Sequence, residues 1–129
     1  MVKEVSNETY KKPLWKHHKG IEYIEINLAQ YSSEDLMIKH YPEACDMILQ
    51  RPDKSVRIFT DITDINPSLD AIRFCKDIGK KAQRGIKSSA IIGTVGFKTI
   101  MLKIYIRYSG SPVKIFSSKD AALDYVTQQ

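Results

Sequence analysis

The run Gly93-Thr94-Val95-Gly96-Phe97-Lys98-Thr99 has the most suggestive spacing in the sequence. Two glycines ahead of a helix-like stretch leave backbone N–H groups free, and a lysine beside them adds a cation, so the turn suits a small anion. A nucleotide-hydrolysing phosphate loop needs four residues between its glycines and a lysine directly after the second. Here two residues intervene and Phe97 precedes Lys98. The spacing argues against nucleotide hydrolysis. It leaves an anion- or ligand-binding turn at Gly96, Phe97 and Lys98, or a tight turn that simply needs glycine.

Asp61 and Asp64 follow a β-branched stretch, at the strand end where open α/β sheets bind ligands. Two carboxylates there could hold Mg²⁺ or act as an acid/base pair. Ordinary turn and capping chemistry is the alternative, because no third ligand is near. His17, His18 and His40 show no metal-ligand spacing and read as surface or partly packed side chains. Cys45 and Cys75 have neither metal spacing nor a neighbouring His or Asn, so two buried reduced thiols are expected, with a bridge left open. No GxSxG elbow occurs. No catalytic residue, metal or cofactor is assigned, and an enzyme is not expected.

The elements that must position these residues can be read from periodicity. Leu14–His17, a turn at His18-Lys19-Gly20 and Ile21–Leu28 form an expected antiparallel hairpin, with Ile24, Ile26 and Leu28 alternating against Glu25 and Asn27. Ser32-Ser33-Glu34-Asp35 starts a helix running to about Gln50, and Pro42 is expected to kink or divide it. Val56–Ile62 is a second firm strand. Asn66 as N-cap with Pro67 in the first turn starts a helix that Gly85 stops. Ser88–Thr94 is a short apolar strand of the kind covered on both faces. A helix at 97–109, a strand at 113–116 and a helix capped by Ser118 complete the chain. Strands alternating with helices predict an α/β fold, one domain over 1–129, in which residues 1–12 are a loose start.

The 129 residues are 43% hydrophobic and 27% charged, which excludes collagen-like, disordered and disulfide-scaffold classes. Neither a signal peptide nor an 18-residue apolar run is seen, so no transmembrane segment is expected and the cytoplasm is the expected compartment. The net charge of +5 is unevenly spread. Residues 21–75 carry ten acidic and five basic groups, whereas 76–119 carry ten basic groups against Asp77 alone. An acidic half beside a basic half favours self-association or an anionic partner. The basic segment lacks the paired aromatics of an RNA-recognition sheet, so a nucleic acid is not the expected partner.

On a helical wheel the apolar side chains of 97–109 span roughly 240°, whereas one sheet contact needs about 100°. The surplus must meet a neighbouring helix, a second subunit or an apolar ligand. A homodimer using Leu102, Tyr105 and Ile106 is the expectation, since large apolar patches are rare on monomers.

Several strings in order carry a family resemblance. They are Ile58-Phe59-Thr60-Asp61-Ile62-Thr63-Asp64, then Ser89–Lys98, then Ile106-Arg107-Tyr108-Ser109-Gly110 with Val113-Lys114-Ile115-Phe116, and last Ala121–Val126. Over about residues 15–127 the chain resembles the SpoIIAA-like group of STAS-fold domains, also described as STAS/SEC14-like. The resemblance implies a STAS-like mixed sheet with helices mainly on one side, and non-catalytic roles. Anti-sigma-factor antagonists of the wider fold bind a partner kinase and are switched by phosphorylation at a helix start, which Ser68 matches in place. Their Asp-Ser-Ser-Gly run is absent, and Leu69-Asp70 follow Ser68 instead. SEC14-like relatives hold lipids in an apolar pocket. The expected function is a non-enzymatic STAS-like binding domain acting as a regulatory protein–protein interaction module. The alternative is a small-molecule or lipid-binding module with an apolar pocket near helix 97–109, taking a lipid or small acidic ligand.

Overall fold

A computed structural model of the chain describes residues 8–96, 99–100, 102–103, 106–107 and 110–128. Five strands form one sheet: β1 (Leu14–His18), β2 (Ile21–Asn27), β3 (Val56–Asp61), β4 (Ile86–Ile92) and β5 (Val113–Ile115). Their order across the sheet is their order in sequence. β1 and β2 are antiparallel, and β2, β3, β4 and β5 are parallel. The hairpin closes in two residues, Lys19 and Gly20, both at positive φ, the backbone that matches the twist of the flanking strands.

The parallel strands are joined by α1 (Glu34–Leu49), α2 (Leu69–Ala82) and a third connection with helical residues at 99–100, 102–103 and 106–107. Each connection steps one strand in the same direction. Right-handed crossovers stepping one way put their helices on one face of the sheet. Accordingly Ile24, Ile26, Val56 and Ile58 pack with Met37, Ala44, Cys45 and Ile48 of α1 and Ala82 of α2. Among the described residues, α3 (Lys119–Val126) alone covers the other face, where Ala122, Leu123 and Val126 close over Tyr23, Phe59 and Ala90. Successive strand residues thus serve two different cores, as the period of two requires.

Local expectations are corrected at four places. Ser68, not Asn66, is the N-cap of α2: its Oγ accepts the Ala71 N–H at 3.1 Å. Pro67 therefore lies outside the helix. α1 continues across Pro42 rather than dividing, since the missing N–H removes one helical bond while the buried face holds both halves to the sheet. β4 occupies Ile86–Ile92, two residues earlier than the apolar run suggests, because a 3₁₀ turn at Gln83–Gly85 carries α2 directly into it.

The fourth correction concerns the N-terminal segment. Residues 8–13 are strapped to α1, although a loose start is expected up to residue 12. The Glu8 carboxylate accepts from the Ser32 and Ser33 N–H groups at the helix start. Tyr10 bonds Glu43 through its hydroxyl. The Lys11 carbonyl accepts from Tyr31 Oη at 2.8 Å and faces His40 Nδ1 at 2.9 Å. His40 is 1% exposed, a core residue rather than a surface one.

Candidate functional site

The sequence-nominated carboxylates and glycines sit on loops at the carboxyl ends of β3 and β4. Asp61 ends β3, and its Oδ1 accepts from the Thr63 N–H at 2.9 Å and the Thr63 hydroxyl at 2.6 Å. That is an Asx turn, which bends the chain out of the sheet. Asp64 has φ +60 and lines a cleft of about 220 Å³ with Tyr31, Glu34, Met37 and Asn66; Asp61 does not line it. Among the described residues, no group of three His, Cys, Asp or Glu side chains is placed to hold a metal ion.

Gly93 leaves β4 at φ +91, and a Cβ there would stand 2.3 Å from the Thr63 nitrogen. The two loops therefore touch backbone to backbone, and glycine at 93 follows from that approach as well as from its dihedral angle. Gly96, at φ +55, is exposed; its carbonyl accepts from the Thr99 and Ile100 N–H groups at 3.1 and 3.4 Å and opens the helical connection. Phe97, Lys98 and Tyr105 lie outside the described residues. Leu102 and Ile106 are half-buried, and Leu102 lines a partly open cavity.

Ser68 is held by a residue that no local pattern names. Glu34 Oε1, in the first turn of α1, accepts both the Ser68 N–H and the Ser68 hydroxyl at 2.7 Å. These two bonds hold the Glu34 carboxyl below the usual carboxylate range. One serine thus ties the starts of two helices together: it donates to Glu34 and accepts from Ala71. A phosphoryl group on Ser68 would remove the donor and bring a second anion against Glu34.

The cavity lies between the sheet and α2. It has a volume of about 130 Å³ and is partly open. Ile58 and Ile91 form part of its floor, and Gly79 and Ala82 of α2 face them. Mid-helix Gly79 is explained here, because a Cβ would meet the Tyr41 hydroxyl at 2.6 Å. That hydroxyl also bonds the Cys45 thiol, which burial pushes up to about 12. Cys75 is also free, and burial pushes it up to about 11. Thr60 of β3 and Ser89 of β4, 8% and 6% exposed, turn toward the same cavity. They were not among the sequence candidates. The signal was available: both occupy inward positions of strands whose other inward residues are aliphatic.

No protein-family model and no curated protein matches this sequence. Among solved structures, the chain is similar to an uncharacterized protein of the DUF3478 family with a SpoIIAA-like fold from Shewanella loihica PV-4. The identity is 19% and the TM-score 0.62, over 88% of this chain and 91% of that one. At that identity the likeness speaks for architecture. The antiparallel opening hairpin, the three one-way parallel steps and the closing α3 agree with it, and the chain has a SpoIIAA-like fold.

Proposed function

We propose that the protein is a non-enzymatic binding domain that works through protein contacts, first of all with a second copy of itself. One observation carries this reading. Leu69 and Ile72 at the start of α2, Val95 in the turn after β4 and Ile100 just beyond it are 49–70% exposed. All four follow the carboxyl ends of β3 and β4, whose loops meet at Gly93 and Thr63, so they gather at one end of the molecule. Large apolar side chains grouped on a surface mark interaction sites.

Charge supports the choice of partner. The acidic stretch 21–75 and the basic stretch 76–119 belong to one chain, so two copies related by a two-fold axis can set one against the other. A regulatory role in the cytoplasm, with a second protein as partner, belongs to the same proposal. No described helix is long and apolar enough to cross a membrane.

Sedimentation velocity at ~50 µM tests the reading. A species of about twice the 14.8 kDa chain mass, reduced to monomer by Ile72→Asp or Ile100→Asp, supports it. A strict monomer for the wild-type chain rejects self-association.

A further inference from the structure

We propose that the outer edge of β1 binds an extended, acidic peptide segment of a partner protein as an added strand. The inference does not depend on self-association, because the edge uses none of the residues of the exposed apolar end.

The first observation is an open edge. β1 ends the sheet, and among the described residues β2 is the one strand paired with it. The register runs residue by residue from Leu14 opposite Glu25 to His18 opposite Ile21. A two-residue turn requires His18 and Ile21 to exchange both N–H···O bonds, and antiparallel alternation then gives Lys16 and Leu14 the same role. Trp15 and His17 therefore direct their N–H and C=O groups away from β2, beyond the sheet. Natural edges are blunted by shortness, bulges, proline, charge or cover. The opposite edge, β5, has three residues and follows Pro112 directly. β1 has five residues, with Pro13 ahead of it and no proline within. Leu14, 54% exposed, adds an apolar side chain at that edge.

The second observation is charge, and it selects the occupant. Residues 10–20 include Lys11, Lys12, Lys16 and Lys19 and no acidic residue. The carboxylates opposite β1 and beside its turn are already held. Lys16 holds Glu25 at 3.1 Å, Arg51 holds Glu22 at 2.8 Å and Lys19 holds Asp124 at 3.0 Å. Lys11, Lys12 and His17 stand exposed. A second copy of β1 added about a two-fold axis at Lys16 would set lysine against lysine, which is unfavourable. A strand carrying Asp or Glu meets the opposite sign at the same positions. The lysines that bar this edge from pairing with its own copy thus leave an acidic strand as the complement, bound by main-chain hydrogen bonds and chosen by its side chains.

Titration of the ¹⁵N-labelled chain with three capped octapeptides, followed by amide NMR, tests the proposal. One alternates valine and glutamate, and one alternates valine and lysine. The third is the acidic peptide with its two central residues N-methylated, which removes a donor from each of its edges. The acidic peptide is expected to give saturable shifts centred on 14–18 and a change in Trp15 fluorescence, and to bind at least about 10-fold more tightly than the basic one. Raising the salt from about 50 to about 300 mM should weaken it about 3–10-fold, and Lys12→Glu about 3-fold. N-methylation should weaken it about 10-fold. Linear or scattered shifts with the acidic peptide overturn the site. Equal binding of the acidic and basic peptides overturns the charge argument. Equal binding of the N-methylated peptide overturns strand addition, leaving contact by charge alone. Shifts at 14–18 that grow with protein concentration, without peptide, place a second copy on the edge and overturn the occupant. The wild-type titrations stand even if the variant fails to fold, and sedimentation of the same sample reports self-association separately.

Discussion

Lowering the pH should destabilise the protein through His40. Its Nδ1 faces the Lys11 carbonyl at 2.9 Å, and a carbonyl only accepts, so the proton of the neutral ring sits on Nδ1. Nε2 then carries a lone pair, and it is buried without a partner. Protonating Nε2 would create a charged donor with nothing to receive it. Burial accordingly lowers the His40 pKa, against the opposing pull of the Lys11 carbonyl, Glu43 and Glu25. Tyr10 and Tyr31 supply the remaining close surroundings as aromatic neighbours.

The sign follows from linkage. With the folded pKa below the unfolded one, the unfolded chain takes up the proton first. This contribution to stability is complete above the ordinary histidine value of about 6.5 and is lost as pH falls below it. The limiting slope is about 1.4 kcal/mol per pH unit, which sets an upper bound of about 1.4 kcal/mol on the loss from pH 7.5 to 5.5. Glu34 and Asp124 are depressed carboxyls and lose their contributions only at lower pH. Urea unfolding followed by Trp15 fluorescence at the two pH values measures the change. His40→Asn keeps a donor toward Lys11 and removes the titration. It should be less stable at pH 7.5 yet flatter with pH, and subtraction cancels His17 and His18. An equal pH dependence in both proteins, or a wild type that gains stability on acidification, refutes the reasoning.

Three further outcomes follow from the geometry. Gly93→Ala combines an unfavourable positive φ with a Cβ against the Thr63 backbone, and should cost at least about 2 kcal/mol in urea unfolding; a change within about 0.5 kcal/mol would contradict the close approach. Ser68→Ala should cost about 1 kcal/mol as a lost N-cap. Ser68→Asp should be worse than expected for a good capping residue, because it faces Glu34, and Glu34→Gln should relieve it. Cys45, 3% exposed and pushed up to about 12 by burial, should react with a disulfide reagent at pH 8 only as the chain unfolds, and more slowly than the half-buried Cys75; a rapid native-state reaction at Cys45 would contradict its burial.

The fold was legible where the signal is local. Ile24 and Ile26 alternate with Glu25 and Asn27, and that period alone marked β2 as a strand with one inward face, which the structure packs against α1. The hairpin, the parallel steps and the last helix were read in the same way. The errors arise where a distant residue decides. Asn66 and Ser68 are both acceptable caps by type, and Glu34, packed nearby from α1, selects Ser68 by accepting both its donors. The strap at 8–13 is likewise invisible to periodicity. It is held by polar contacts to Ser32, Tyr31, His40 and Glu43, none of which makes a pattern in the sequence.

The candidate sites divide along the same line. Asp61 and Gly93 attract notice by type and position, yet their observed contacts, with Thr63 in both cases, already account for the residues chosen. Thr60 and Ser89 attract none, yet both are buried polar residues at the wall of the cavity. Sequences normally satisfy every level of structure at once, and departures from that agreement concentrate where function is expected. Several of them fall on α2. The helix exposes Leu69 and Ile72 and admits Gly79 at mid-length, where glycine costs about 1 kcal/mol relative to alanine. It also roofs the cavity that Thr60 and Ser89 line. The physical case for function therefore rests on α2, whose inner side bounds the cavity and whose first turns belong to the exposed apolar end.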